Sequence, residues 1–311
     1  MKEYGFGVDI GGTTVKMGLF KTTGELLDKW EIPTRKDNGG EQILPDVAAA
    51  IDAKLQEKGI DKDTVQGVGV GVPGPVTPEG VVRKCVNLGW DVFNVEEKLS
   101  SLCKLPVKAG NDANVAALGE MWQGAGKGAK NVVMVTLGTG VGGGVIVDGK
   151  IVAGSTGAGG EIGHIPVNDE ETDVCGCGKK GCLEQYASAT GVVTMTKRKL
   201  AASDTASTLR DIAEVTAKDV FDAAKAGDAL ALEVIEDFGK ILGRTLAMIA
   251  CVSNPEVIVI GGGVSKAGEM ITDVVSKYFV PYTFHACRET QFKIAQLGND
   301  AGIYGCVQMV L

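Results

Sequence analysis

FGVDIGGTTVKMGLF, residues 6–20, sets Phe6, Val8 and Ile10 on one side of an extended run, turns through Gly11, Gly12, Thr13 and Thr14, and resumes with Val15, Met17 and Leu19. Apolar residues at period two on both sides of a glycine turn predict two strands joined by a tight connection. The layout returns at residues 132–147, VVMVTLGTGVGGGVIV, and reads as an internal repeat. No Gly-Lys-Ser/Thr follows either turn, and a strand comes next instead of a helix, so neither a Walker loop nor a dinucleotide fingerprint fits. Two readings do fit. The glycines serve tight hairpin turns, or they leave successive backbone N–H groups open to phosphate oxygens as an anion nest. Thr13, Thr14 and Thr139 add hydroxyl donors, and Asp9, in the strand before the first turn, is placed to hold a magnesium ion or its waters.

Outward from these hairpins the pattern is mixed α/β. Ile43, Leu44, Val47, Ile51 and Leu55 predict a helix over 41–58 that Gly59 stops, residues 65–72 a strand, and Asp112 to about Trp122 a helix. Helices are predicted at 211–226 and 228–253, strands at 257–260 and 292–297, and a last helix at 301–311. Length favours two domains, since 311 residues is about twice the common size. We place a smaller α/β domain at 1–115 plus 300–311 and a larger one at 116–299, joined without a low-complexity linker.

Composition narrows the partners. A net charge of −8 argues against nucleic acid and anionic membrane. The longest charge-free run, 132–147, is glycine-broken and too short to span a bilayer, so the chain reads as cytoplasmic with a small-molecule ligand. The 45 glycines, gathered in clusters, suggest close approach of backbone to that ligand.

Two further constellations carry chemistry. His164, Cys175, Cys177 and Cys182 offer an imidazole and three thiolates at a spacing suited to tetrahedral zinc, and four protein ligands leave no open position, which makes the metal structural. Glu161 and Glu184 flank the cluster, as solvated surface carboxylates or as partners for sugar hydroxyls. Asn111-Asp112 opens a helix, either as an ordinary N-cap or with Asp112 as a general base kept ionised by the helix dipole. Lys16 has no role that spacing alone assigns.

Residues 8–20, GNDANVAALGE (110–120), GEIGH (160–164) and CGCGKKGCLEQYAS (175–188) closely resemble the ROK family of sugar kinases and repressors, nearly end to end. The resemblance implies an actin-like ATPase (ribonuclease H-like) fold, with two α/β domains around a cleft. It implies ATP-dependent phosphorylation of glucose, with N-acetylmannosamine, fructose or mannose, or non-catalytic sugar sensing, as alternatives. It makes Asp112 the base and gives Asn111, Glu161, His164 and Glu184 to the sugar. Gly11, Gly12, Thr13, Thr14, Gly138, Thr139 and Gly140 would line the phosphates, Asp9 the magnesium, and Gly261, Gly262 and Gly263 the adenosine. Structural zinc would sit on His164, Cys175, Cys177 and Cys182. A homodimer or homotetramer is implied. The family's repressors carry a helix-turn-helix before the sugar-binding part, for which five residues ahead of the first strand leave no room.

Overall fold

The structure, a computed structural model, describes residues 2–311. Two five-stranded sheets share one plan. In the first, β1 (Tyr4–Ile10), β2 (Thr14–Lys21), β3 (Leu26–Pro33), β4 (Val65–Val72) and β5 (Val107–Asn111) lie in the order β3-β2-β1-β4-β5. β1, β2 and β3 pair antiparallel, while β4 and β5 join in parallel. In the second, β6 (Val132–Leu137), β7 (Val141–Val147), β8 (Lys150–Ile151), β9 (Val257–Gly261) and β10 (Gln291–Ile294) lie in the order β8-β7-β6-β9-β10, again with parallel fourth and fifth strands. The hairpin repeat seen in the sequence is thus a repeat of sheet topology, as the actin-like fold requires.

The chain forms two compact units, one of residues to Lys130, Gly144–Gly160 and Gln296–Leu311, the other of Asn131–Gly143 and Glu161–Ala295. The sequence reading drew its boundary at 115/116. That point falls inside helix α3 (Asp112–Gln123), and the first unit runs on to Lys130.

In the first unit, Phe6, Val8 and Ile10 on β1, Val15, Met17 and Leu19 on β2, and Val68, Val70 and Val72 on β4 form a fully buried layer. Helix α1 (Ile43–Lys58) covers it with Ile43, Leu44, Val47, Ile51 and Leu55, and ends where Gly59 takes the left-handed conformation expected of a helix stop. Helix α2 (Val95–Cys103), capped by Asn94, adds Val95 and Leu99. The opposite face of the sheet packs against α8 (Ala301–Gln308), which also lies along α3. Glycines make that contact possible. A Cβ at Gly7 would strike the Ile303 carbonyl, one at Gly69 the Cys306 carbonyl, and one at Gly305 the Val115 carbonyl. Part of the glycine excess that suggested ligand contact therefore serves helix-to-sheet and helix-to-helix packing.

In the second unit α4 (Ala189–Ala202), α5 (Ala217–Lys225), α6 (Ala229–Ser253) and α7 (Glu269–Phe279) surround β6, β9 and β10. Two predicted boundaries shift. The helix expected from Asp211 starts at Ala217, because Thr216 and Asp219 form a reciprocal capping box. The strand expected at 292–297 stops at Ile294, and the N–H groups of Gln296 and Leu297 are taken by Glu120.

Candidate functional site

The first unit gathers Asp9, Asp112, Asn111, Lys16 and the Gly11–Thr14 turn around the ends of β1, β4 and β5. Asn111 is the true cap of α3: its Oδ1 accepts from the N–H of Ala113 at 3.0 Å and of Asn114 at 3.1 Å, and its Nδ2 donates to the Gly74 carbonyl at 3.1 Å. Capping therefore falls to Asn111 and not to Asp112, which stands in the first turn with Oδ1 accepting from Ala113 N–H at 2.8 Å. Asp9 and Asp112 meet over Gly71, where an added Cβ would lie 3.4 Å from Asp9 Oδ1 and 3.8 Å from the Asp112 Cα. Burial raises the Asp9 carboxyl to about 6; the Asp112 charge pushes the same way, and Lys16 opposes both. Lys16 is the cross-strand partner of Asp9, and its Nζ donates to the Asn299 carbonyl at 3.3 Å.

The hairpin glycines differ in what surrounds them. Gly11, Gly12, Gly138 and Gly140 all lack positive φ, so no left-handed turn demands them. Gly11 is crowded by the Thr14 carbonyl and Gly140 by the Glu184 carboxylate, but a Cβ at Gly12 would meet nothing within 4 Å and one at Gly138 only the Gly140 carbonyl at 4.0 Å. Gly263 is equally open and lacks positive φ, whereas Gly262 adopts φ +83° against Leu137 and Gly261 packs on Met134 and Ala295. At Gly12, Gly138 and Gly263 neither backbone strain nor internal packing accounts for the missing side chain. Open space lies beside each of them.

The second unit assembles the cysteine cluster. The ligand atoms of His164, Cys175, Cys177 and Cys182 lie within 4.8 Å of one another. Cys175 Sγ is 3.7 Å from His164 Nδ1, and Cys177 Sγ is 3.6 Å from Cys182 Sγ. A tetrahedron with Zn–S bonds of about 2.3 Å has edges of about 3.8 Å, so the donors fit zinc in type, number and spacing. Burial pushes the Cys182 thiol up to about 12, with the neighbouring Cys177 and Cys175 sulfurs adding to it, a state that a bound cation would reverse. Glu184 opens the turn after Cys182 and joins this cluster to the second hairpin: its Oε2 accepts from Val141 N–H at 2.9 Å, and its Oε1 lies 3.7 Å from Cys175 Sγ. His164 turns Nδ1 toward the sulfurs, leaving Nε2 for another partner, whereas Glu161, three residues earlier, is exposed.

Sequence reasoning missed what holds this loop. Glu171, buried, accepts Arg198 Nη1 at 2.8 Å and Nη2 at 3.0 Å, Tyr186 Oη at 2.6 Å, and the N–H groups of Thr172 and Asp173. Paired with Arg198 first, its carboxyl is held far below the usual carboxylate range. The segment before Cys175 is thereby tied to Arg198 on α4. An arginine 27 positions from its partner leaves no local signal. The turn-rich stretch 71–94 holds Asn87 and Trp90, residue types that suit a ligand pocket. Asn87 is exposed, and Trp90 is core, its indole N–H on the Gly40 carbonyl at 3.1 Å. A first-unit cavity of about 510 Å³ is lined instead by Thr77, Asn111, Asn114 and Ser155.

A family model described as the ROK family matches residues 5–311. A glucokinase of Halalkalibacterium halodurans is 47% identical over 304 residues, 96% of this chain and 92% of that protein. A glucokinase of Thermotoga maritima is 36% identical over 310 residues, 98% and 96% of the two chains. Among solved structures, a ROK family glucokinase from Streptomyces griseus in complex with glucose and AMPPNP superposes with a TM-score of 0.74 at 33% identity, covering 98% of both chains.

Proposed function

The chain belongs to the ROK family, and from that membership we propose that it is an ATP-dependent glucokinase, converting glucose to glucose 6-phosphate. The observation that carries the mechanism is the division of labour at the start of α3. Asn111 caps the helix, so the Asp112 carboxylate beside it can act as the base. It takes the 6-hydroxyl proton as that oxygen bonds to the γ-phosphorus and the bridge to the β-phosphate breaks, leaving ADP. In so loose a transition state, positioning and charge stabilisation supply most of the acceleration.

The other assignments follow from this reading. Gly12 and Gly138, open without structural need, lend their backbone to the phosphates together with Gly11, Gly140, Thr13, Thr14 and Thr139, and Gly261–Gly263 border the adenosine. Asp9 suits a magnesium ion, since a hard cation relieves a carboxylate raised by burial and by Asp112. Magnesium supplies neutralisation of the phosphate charge. Glu161, Glu184, Asn111 and His164 Nε2 bind sugar hydroxyls, with zinc on Nδ1 fixing the ring. No helix is long and apolar enough to cross a membrane among the described residues. A cytoplasmic setting matches ATP as donor. Exposed Met248, Val252, Tyr282 and Phe284 support a homodimer or homotetramer.

The test is coupled ADP release with magnesium and ATP on glucose, mannose, fructose, N-acetylglucosamine and N-acetylmannosamine. A large preference for glucose upholds the reading. Preference for another hexose keeps the mechanism and replaces the substrate, and binding of glucose without turnover on any sugar makes the chain a sensor.

A further inference from the structure

Glu120 is fully buried near the end of α3, and the reaction as described does not use it. Its four hydrogen bonds all come from backbone: Oε1 accepts Gln296 N–H at 3.0 Å and Leu297 N–H at 2.8 Å, and Oε2 accepts Ala125 N–H at 2.8 Å and Gln296 N–H at 3.1 Å. These donors sit beside two of the four points where the chain changes unit. Ala125 precedes the passage at Lys130–Asn131, and Gln296 is the first residue after the return. One residue earlier, Ala295 N–H bonds the Ile260 carbonyl on β9 at 2.9 Å. Consecutive amides are therefore anchored in different units. At the other of these two passages, Glu256 Oε1 holds Asn131 through its N–H at 2.9 Å and its Nδ2 at 3.2 Å, on the second-unit side. Between the two carboxylate anchors runs Gly126–Lys130, in which Gly128 has φ +94° and nothing within 4 Å of a built Cβ.

Burying a carboxylate is costly, and apolar side chains often fill such sites more cheaply. A residue that accepts only from the segments entering and leaving one unit has a use that packing lacks. We propose that Glu120 is a positioning residue. It locks two of the four passages to α3, whose first residue is the base Asp112, so that at these two any bending falls on Gly126–Lys130 and on the Ala295–Gln296 link while the base stays in register. Its effect on turnover rests on the kinase reading, but its effect on the backbone does not.

Amide-resolved hydrogen exchange on the whole protein separates the two. In wild type the Ala125, Gln296 and Leu297 amides should be protected relative to Lys127–Lys130. In Glu120→Gln, which in either amide orientation turns an N–H toward these donors, they should exchange at least tenfold faster while Ala295 is unchanged. Equal acceleration across the first unit would mean general loosening and would overturn the proposal. So would wild-type exchange of Gln296 and Leu297 as fast as Lys127–Lys130, a result obtainable even if the variant fails to fold. With the kinase active, kcat should fall tenfold or more at a glucose Kd within twofold of wild type by calorimetry. An unchanged kcat refutes the positioning role, whereas absence of turnover in wild type refutes only the kinase reading and leaves the exchange result to decide.

Discussion

Asp9→Asn should make the protein more stable and less active. The folded state holds the Asp9 proton up to about pH 6, the unfolded chain only to about 3.8. Between those values the native state binds more protons, so stability falls as pH rises, and above pH 6 the deficit is constant. A difference of 2.2 units at about 1.4 kcal/mol each gives at most about 3 kcal/mol, an upper bound because part of the carboxylate reaches solvent. An amide carries no charge to desolvate or to repel Asp112. At about 2–4 °C per kcal/mol for a unit of this size, the variant should melt up to about 6–12 °C higher at pH 8 and at the same temperature as wild type near pH 3. Calorimetry without divalent cations from pH 3 to 8 measures this. Magnesium should narrow the gap at pH 8 by stabilising wild type alone, and ADP release should be lost with the carboxylate. A variant no more stable than wild type at pH 8, or a gap that fails to grow between pH 4 and 6, would refute the account of Asp9 as a carboxylate kept unsettled for a cation.

Asp112→Asn should retain glucose binding by calorimetry while turnover drops about 10²-fold or more, the usual cost of removing a general base; turnover near wild type would place the base elsewhere. Cys177→Ser should lower bound zinc by elemental analysis and weaken glucose affinity, because the cluster fixes His164 and Glu184. A wild type that retains no zinc after dialysis against trace metal would end that argument. Gly305→Ala should cost about 3 kcal/mol or more in denaturant melts, since its methyl would enter the Val115 carbonyl. A loss below about 1 kcal/mol would show that α3 and α8 can part freely.

The repeated hairpins were legible because period-two apolar residues around a glycine turn are a local signal, and the His164 and cysteine cluster because three cysteines stand close along the chain. Helix α1 was legible for a similar reason: Ile43 to Leu55 mark one face, and Gly59 takes the stop conformation. Less legible was why individual glycines are there. Gly7, Gly69 and Gly305 look in sequence like Gly12, yet they face the backbone of the α8 pairing, a contact made between residues some 300 positions apart for Gly7 and Ile303. Trp90 is another case, since an aromatic residue near a glycine-rich loop suits a pocket as well as a core, and its bond to the Gly40 carbonyl leaves no local mark. Glu120 and Glu171 were invisible as structural carboxylates, since their partners are backbone amides or an arginine far along the chain.

Helix α8 also bears on how the molecule is made. The first unit's sheet and α3 are translated early, but the helix that fits the grooves of Gly7, Gly69 and Val115 begins at Ala301. A nascent chain on the ribosome therefore holds an unfinished first unit, its glycine grooves bare, while residues 161–295 emerge to complete the second unit begun by Asn131–Gly143. Domains often mature in the order of synthesis. Here the part begun first must be completed last, and chaperones that shield exposed apolar surface would meet it during that interval.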